Sequence, residues 1–267
     1  MTRIGRALAE RRANGERALV IYLTAGDPSL ETSRTLVLAA VRAGADIIEL
    51  GVPFSDPSAD GPVLQAASQR ALEGGTTIAR VFGLVRELRA ETDVAILLFG
   101  YYNPIFVHGE DAFAREAAGA GADGLLVVDL PPEEAGPLRA ACDSSGLDLV
   151  PLLAPTSTDA RIDRAVSIAS GFVYFVSITG VTGAALADLG GIEAAVAHLR
   201  ARAGGLPIAV GFGIATPEDA ARIARIADAV VVGSAAVRTA ASGPEALAAY
   251  VASLAQACRN PGWRRGG

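Results

Sequence analysis

One acidic side chain is placed where it could transfer protons. Glu49 lies near the end of the apolar segment 46–50. Because side chains alternate along a strand, it shares a face with Ile47 and is opposite to Ile48 and Leu50. If those last two residues pack against helices, Glu49 points into the interior, where apolar neighbours raise a carboxyl pKa and suit the group to acid–base catalysis. A salt-bridged glutamate at a strand end is the alternative interpretation.

A second carboxylate, Asp60, lies in the segment 53–62, which is rich in turn-forming residues. This segment is longer than a usual connection between a strand and the following helix. Asp60 precedes Gly61-Pro62, and proline is favoured in the first turn of a helix. Asp60 is therefore either a functional carboxylate or the N-cap of that helix.

The basic residues limit the possible chemistry. All 23 cationic side chains are arginines, and the chain contains no lysine. Schiff-base aldolases, enzymes that hold pyridoxal phosphate on their own lysine, and Walker-A phosphate loops all need a lysine amine, so these are excluded. Two His and two Cys leave little for a structural zinc site. A metal site of Glu49, Asp56 and Asp60 would lack histidine and is disfavoured, and the net charge of -6 argues against nucleic acid as a partner.

Glycines near the end of the chain could bind an anion. Gly213 and Gly233 end two apolar runs, and Ser234 follows at the start of a short helical segment. Glycine lets backbone N–H groups approach a ligand closely, and such amides bind phosphate without lysine. Phosphate sites after the last two strands are common in barrel enzymes. Glycine at strand ends is also ordinary turn chemistry, which is the alternative.

A loop of small residues follows the sixth apolar run. Residues 177–185 contain mainly Ser, Thr, Gly and Ala, a composition suited to a mobile lid that closes on a substrate. A long connection without function is the alternative. Tyr174, within the preceding run, either packs in the core or reaches the site, and alternation alone does not decide between these positions.

The elements that must position these residues are short apolar runs, which alternate with longer amphipathic segments. Runs that are apolar on both faces are typical of parallel strands covered by helices. Eight strand–helix units in roughly 250 residues predict an α/β fold, a single (β/α)8 TIM barrel. A doubly wound sheet is the alternative, but no glycine-rich dinucleotide turn follows the first run. The eight runs are 19–24, 46–50, 94–100, 124–129, 147–154, 172–177, 208–213 and 229–234.

The remaining parts of the chain complete this organisation. An extra N-terminal helix is predicted over 3–14, where it would cover the bottom of the barrel. No linker divides the chain, so residues 1–260 are predicted to form the catalytic domain and residues 261–267 a disordered tail. No apolar leader precedes Arg3, and glycines interrupt the uncharged stretch 165–187. We therefore expect a cytoplasmic protein without a membrane segment.

Seven motifs, taken in order, resemble the tryptophan synthase alpha chain family over residues 3–258. Each motif alone is weakly specific, but the ordered set is highly specific. Two departures from the family pattern stand out: Tyr22 occupies a position where many members have Phe, and Ala184-Ala185 follows the lid motif where a charged residue is common. The motifs are 23–28, 49–57, 59–62, 102–106, 180–183, 211–214 and 233–235.

This resemblance implies a reaction and a set of site residues. The family cleaves indole-3-glycerol phosphate to indole and glyceraldehyde 3-phosphate. Glu49 falls on the catalytic acid/base of the family and Asp60 on its second catalytic carboxylate. The positions that line the indole and phosphate sites are Tyr22, Tyr174, Thr182, Gly183, Phe212, Gly213, Gly233 and Ser234.

The resemblance also implies partners. No cofactor is expected on this chain, because family members usually pair with a beta chain that carries pyridoxal phosphate in an alpha2beta2 complex. The partner surface would include the loop 53–62 and the segment around Asn103-Pro104. A stand-alone lyase that releases free indole is the alternative within the enzyme class. A flavin-binding barrel and a non-catalytic activating subunit are alternatives from other classes.

Overall fold

The computed structural model describes residues 1–176, 189–211 and 213–260. Within them, nine strand segments and twelve helices alternate along most of the chain. The strands are β1 (Ala18–Thr24), β2 (Ile47–Gly51), β3 (Ala95–Gly100), β4 (Gly124–Val127), β5 (Asp148–Val150), β6 (Leu152–Leu153), β7 (Val173–Val176), β8 (Ile208–Gly211) and β9 (Ala229–Val232). The helices are α1 (Arg3–Ala13), α2 (Leu30–Arg42), α3 (Pro62–Glu73), α4 (Ile78–Arg89), α5 (Tyr102–His108), α6 (Glu110–Ala120), α7 (Gly136–Ser145), α8 (Asp159–Ile168), α9 (Leu189–Arg202), α10 (Pro217–Ile223), α11 (Ser234–Ala240) and α12 (Pro244–Arg259).

The strands form one parallel sheet in the order β5-β4-β3-β2-β1-β9-β8-β7-β6. Its two ends, β5 and β6, are consecutive pieces of one run, interrupted by Pro151, which has no N–H to donate. The run pairs with β4 on one side and β7 on the other, and the Tyr174 N–H donates to the Pro151 carbonyl at 3.0 Å. The sheet therefore curls into a barrel, which confirms the (β/α)8 prediction and excludes the doubly wound sheet. The fifth predicted strand, 147–154, is corrected to two shorter pieces.

The barrel wall has two apolar faces because helices cover it from outside and side chains fill it from inside. Leu19 and Ile21 of β1 pack in the outer cluster with helix residues such as Leu36. Val20 of β1 and Leu97 of β3 pack in the inner cluster. Side chains of opposite parity along each strand thus point to opposite layers, as the alternation of a strand requires.

Helix α1 covers the bottom of the barrel, as predicted for an extra N-terminal helix. Its residues Ile4 and Leu8 are buried in the inner cluster. Arg11 of α1 forms an ion pair with Asp46 at 2.8 Å, and the second carboxylate oxygen of Asp46 accepts the Leu19 N–H at 2.8 Å. Packing and ion pairs therefore close the bottom of the barrel in the part of the chain that the structure describes. Barrel enzymes bind their ligands at the other end, where strands lead into the following helices.

In the part of the chain that the structure describes, no helix is both long enough and apolar enough to span a membrane. The uncharged stretch 165–187 contributes the end of α8 and the strand β7. Its last part, 177–187, which contains the predicted lid 177–185, lies outside the described residues, as does the predicted tail 261–267.

Candidate active site

A cavity of about 350 Å³ opens at the end of the barrel where the strands lead into the helices. Its walls are mainly apolar and carry a small number of polar groups, which is typical of small-molecule sites. Seven of the predicted site residues line it, namely Tyr22, Glu49, Asp60, Tyr174, Gly213, Gly233 and Ser234. The other three, Thr182, Gly183 and Phe212, lie outside the described residues.

Glu49 points into this cavity from β2. Ile48 and Leu50 pack in the outer cluster and Ile47 in the inner one, so the alternation predicted from the sequence is confirmed. Glu49 is 1% exposed and lies beside Tyr22 in the strand register. Among the described residues Glu49 forms no ion pair, and its Oε1 atom has no hydrogen-bond partner, so the salt-bridged alternative is wrong. Burial raises the pKa of Glu49 to about 8, which leaves the group protonated at neutral pH.

Asp60 approaches the same cavity from the loop before α3. The N-cap of α3 is Gly61, with no side-chain capping bond, so the N-cap interpretation of Asp60 is wrong. Burial raises the pKa of Asp60 to about 6, and a hydrogen bond from the Tyr101 hydroxyl opposes this rise. Asp60 is therefore mostly ionised at neutral pH, whereas Glu49 is mostly protonated.

Tyr101 is a site-supporting residue that the sequence interpretation missed. It follows β3 directly and is 4% exposed. Its hydroxyl accepts the Ala59 N–H at 3.1 Å and its ring packs on Phe54, with the ring centroids 5.3 Å apart. Its position directly after a predicted strand is the sequence feature that could have identified it as a site residue, as the position near a strand end did for Glu49.

Aromatic rings form one wall of the cavity. Tyr22 and Phe99 meet edge to face, with their centroids 5.2 Å apart. Tyr174 is 4% exposed, lines the cavity and packs in the inner cluster, so it both reaches the site and belongs to the core. Burial is the main cause of a raised pKa at both tyrosines, so both hydroxyls stay neutral.

Two glycines make room for these tyrosine hydroxyls. A Cβ atom at Gly51 would lie 2.1 Å from the Tyr22 hydroxyl oxygen, and one at Gly211 would lie 2.1 Å from that of Tyr174. Any larger residue would displace a ring from the cavity wall. Both glycines end strands next to the tyrosine strands, so close backbone approach explains why glycine stands there.

The cavity is also lined by residues that can present backbone N–H groups. Gly213 has a φ of +76°, which favours glycine, and Ser234 begins α11 immediately after Gly233. The loop after Gly213 is held by a capping box between Thr216 and Asp219 at the start of α10. Arg238 of α11 is the only basic side chain among the described residues that line the cavity. These lining residues can therefore present both backbone amides and one cation to an anionic group.

A carboxylate metal site does not form in the described part of the structure. Asp56 is exposed, and its carboxylate accepts a hydrogen bond from the Ser55 hydroxyl. No group of three or more His, Cys, Asp or Glu side chains among the described residues is placed to hold a metal ion. The alternative built on Glu49, Asp56 and Asp60 is therefore not supported.

A (β/α)8 barrel with two carboxyl groups facing one apolar cavity at its mouth is typical of barrel enzymes that use acid–base chemistry. Residues 8–261 match the family model described as "Tryptophan synthase alpha chain". A protein of that name from Citrifermentans bemidjiense is 56% identical over 238 residues, 89% of either chain. One from Geobacter sulfurreducens is 48% identical over 97% of this chain and 100% of its own. The chain belongs to the tryptophan synthase alpha chain family.

Solved structures agree with this assignment. Tryptophan synthase from Mycobacterium tuberculosis superposes with a TM-score of 0.91 at 38% identity, over 97% of this chain and 98% of the other. Tryptophan synthase subunit alpha from Legionella pneumophila superposes with a TM-score of 0.90 at 39% identity, over 97% and 99% of the two chains. The similarity thus extends through nearly the whole fold.

Proposed function

We propose that this chain cleaves indole-3-glycerol phosphate to indole and glyceraldehyde 3-phosphate, as the alpha subunit of tryptophan synthase in the last steps of tryptophan biosynthesis. The observation that carries this proposal is the pair of carboxyl groups facing one apolar cavity. Glu49, with a pKa of about 8, is a proton donor at neutral pH, and Asp60, with a pKa of about 6, is an anion. Two carboxyl groups whose environments separate their pKa values are the usual arrangement for distinct acid and base roles.

The reaction needs a proton donor and an electron sink. Protonation of the indole ring at C3 gives an indolenine, whose positively charged nitrogen accepts the electron pair when the bond from C3 to the glycerol carbon breaks. The hydroxyl on that carbon loses its proton and becomes the aldehyde. The substrate thus supplies its own electron sink, and the cleavage needs neither a lysine amine nor a metal ion.

Glu49 is assigned the proton transfers and Asp60 the charge stabilisation. Glu49 donates its proton to C3 and then, as a carboxylate, accepts the proton of the glycerol hydroxyl. Asp60 accepts a hydrogen bond from the indole N1–H and stabilises the positive charge that develops there. A positioned acid–base group contributes ~10²–10⁴ in rate.

The remaining cavity residues are assigned to binding. The indole ring fits against the apolar wall of Tyr22, Phe99 and Tyr174. The phosphate fits against the backbone amides of Gly213, Gly233 and Ser234, to which Thr182, Gly183 and Phe212 are added from the resemblance alone.

A beta chain that carries pyridoxal phosphate is proposed as the partner, in an alpha2beta2 complex. Support comes from apolar side chains exposed on α5, where Phe106 is 65% and Val107 is 77% exposed. This helix follows Tyr101, whose ring packs on Phe54 of the loop 53–62, so the two predicted contact segments are adjacent. Exposed apolar patches of this kind mark protein–protein contacts. No pyridoxal phosphate is expected on the alpha chain, which has no lysine.

The test is release of indole from indole-3-glycerol phosphate by the purified chain, with and without an added beta chain. We expect slow release alone and strong stimulation in the mixture. High turnover by the chain alone, unchanged by a beta chain, would favour the stand-alone lyase, and no release in either case would refute the proposal. A yellow purified protein would favour the flavin-binding alternative.

A further inference from the structure

Tyr22 lies between the two parts of the cavity that the proposed substrate must connect. In the register of the sheet it pairs with Glu49 of β2. On its other side Ile21 pairs with Val232 of β9, so Tyr22 is level with Gly233, and a Cβ atom at Gly233 would lie 3.8 Å from the Cβ atom of Tyr22. The glycerol chain joins an indole ring, whose C3 lies at Glu49 in the proposed reaction, to a phosphate at Gly233. This chain therefore passes over Tyr22.

The Tyr22 hydroxyl reaches towards β2 on the face that carries Glu49. A Cβ atom at Gly51 would lie 2.1 Å from the hydroxyl oxygen, so the ring extends from β1 over the end of β2. Gly51 and Glu49 are two positions apart and share a face of the strand, with a rise of roughly 6–7 Å between them. Tyr22 and Glu49 both line the cavity. The hydroxyl and the carboxyl group are therefore neighbours on the inner surface of the barrel.

Both neighbours have hydrogen-bonding capacity that the described part of the chain leaves unused. Tyr22 is 4% exposed, and the Thr24 hydroxyl donates to its oxygen at 3.4 Å. A phenol also has one hydrogen to donate, and among the described residues it has no acceptor. The Oε1 atom of Glu49 has no hydrogen-bond partner there either. Because unpaired buried polar groups cost free energy, the pair favours a ligand group that bonds to both.

A hydroxyl is the substrate group that meets both requirements, because its oxygen accepts one hydrogen bond while its hydrogen donates another. The indole N–H only donates, and an ionised phosphate only accepts. The glycerol hydroxyl on the carbon bonded to C3 is also the group whose proton Glu49 takes in the proposed reaction. Burial raises the pKa of the Tyr22 phenol above its usual value, so the phenol keeps its hydrogen at neutral pH.

We propose that the Tyr22 hydroxyl donates a hydrogen bond to the oxygen of this glycerol hydroxyl and directs the substrate hydroxyl at Glu49. The inference rests on the proposed function. Tyr22 transfers no proton, because the proton of the substrate hydroxyl passes to Glu49 and the phenol keeps its own. The substrate oxygen accepts the hydrogen bond both as an alcohol and as the aldehyde that it becomes. Tyr22 thus selects for a substrate with a hydroxyl on this carbon.

The test compares two ligands that differ only in this hydroxyl. One is indole-3-glycerol phosphate, and the other is its analogue with CH2 in place of the CH(OH) group next to the ring. Dissociation constants are measured by calorimetry in Glu49→Gln, which does not turn the substrate over and keeps an acceptor oxygen, with and without Tyr22→Phe. Tyr22→Phe removes the hydroxyl and keeps the ring that meets Phe99 edge to face. The control is Tyr102→Phe, which removes a hydroxyl that donates to Glu110 at 2.9 Å outside the cavity.

We expect Tyr22→Phe to raise the Kd of indole-3-glycerol phosphate about 5- to 10-fold and to change the Kd of the analogue less than about twofold. In the chain with Glu49 intact, Tyr22→Phe should lower kcat/KM for indole release by at least the same factor. Tyr102→Phe should leave both dissociation constants unchanged.

The ratio of the two dissociation constants decides the inference. If Tyr22→Phe weakens both ligands equally, the hydroxyl only supports the cavity wall, and if it weakens neither, the hydroxyl does not contact the chain; either result overturns the proposal. If the wild-type protein releases no indole but the ratio changes as expected, the proposed function fails and the assignment of Tyr22 stands. If neither ligand binds, both fail.

Discussion

Replacing Glu49 by glutamine tests whether the fold holds a neutral acid in its interior. Glu49 is 1% exposed, and burial raises its pKa from 4.5 to about 8. Glutamine has nearly the same shape and cannot ionise, so Glu49→Gln removes the titration with little change in packing. The variant should fold and lose cleavage by several orders of magnitude, because a carboxamide transfers no proton.

The size of the stability effect follows from linkage between protonation and folding. A carboxyl group with a raised folded pKa contributes stability that is fully present below its unfolded pKa and is lost as pH rises through the folded value. For Glu49 the window runs from 4.5 to about 8. At ~1.4 kcal/mol per pH unit, ionising the buried group costs on the order of 5 kcal/mol in total.

The assay is urea unfolding of the wild type and of Glu49→Gln, followed by circular dichroism from pH 5.5 to 9. All other groups titrate equally in both proteins, so the difference between their unfolding free energies isolates Glu49. We expect the free energy of unfolding of the variant to increase relative to that of the wild type by about 3 kcal/mol from pH 5.5 to 9. Glu10→Gln, at an exposed position of α1, should give a curve parallel to the wild type. Parallel curves for Glu49→Gln as well would refute the raised pKa and with it the reason for assigning proton transfer to this residue.

Asp60→Asn should lower kcat by ~10²-fold or more but leave the melting temperature nearly unchanged, because Asp60 does not cap α3; a parallel loss of both would contradict the assignment. Arg238→Met should raise KM for the phosphate substrate about 10-fold at constant kcat, and an unchanged KM would exclude a role in binding the phosphate. Arg11→Met, which leaves the Asp46 carboxylate with weaker pairing at the bottom of the barrel, should lower the free energy of unfolding by ~1–2 kcal/mol and leave kcat unchanged. Arg12→Met, at an exposed position of the same helix, serves as its control in urea unfolding.

Features set by periodicity could be predicted from the sequence. In the run 46–50, packing of Ile48 and Leu50 against the helices leaves Glu49 on the inner face of the barrel with Ile47, and the structure has this arrangement. Counting such runs gave the barrel. Pro151 also indicates the break in the fifth run, because proline has no N–H to donate to a neighbouring strand. The prediction of one strand over 147–154 followed the apolar composition of the segment and overlooked this proline.

Features set by long-range contact could not be predicted in the same way. The segment Asp60-Gly61-Pro62 fits an N-cap and a functional carboxylate equally well until the helix start is seen at Pro62, with Gly61 as its cap. The contact between Ala59 and Tyr101 joins residues 42 positions apart, and no local pattern encodes it. Arg238 is one of 23 arginines, and only the fold distinguishes it from those on the surface.

The raised pKa of Glu49 bears on binding as well as on proton transfer. Among the described residues that line the cavity, three side chains are acidic and only Arg238 is basic, yet the proposed substrate carries a phosphate. The carboxylate of Asp219 is occupied by the N–H groups of Ala215 and Thr216, at 3.4 and 3.1 Å. Glu49 is neutral below a pH of about 8, so the burial that makes it a proton donor also removes one negative charge from the cavity. Above that pH Glu49 is ionised, so the proton donor is lost and its carboxylate repels the phosphate of the substrate. We therefore expect kcat to fall and KM to rise with one apparent pKa near 8. A fall in kcat without a rise in KM would show that the charge of Glu49 is not felt by the bound phosphate.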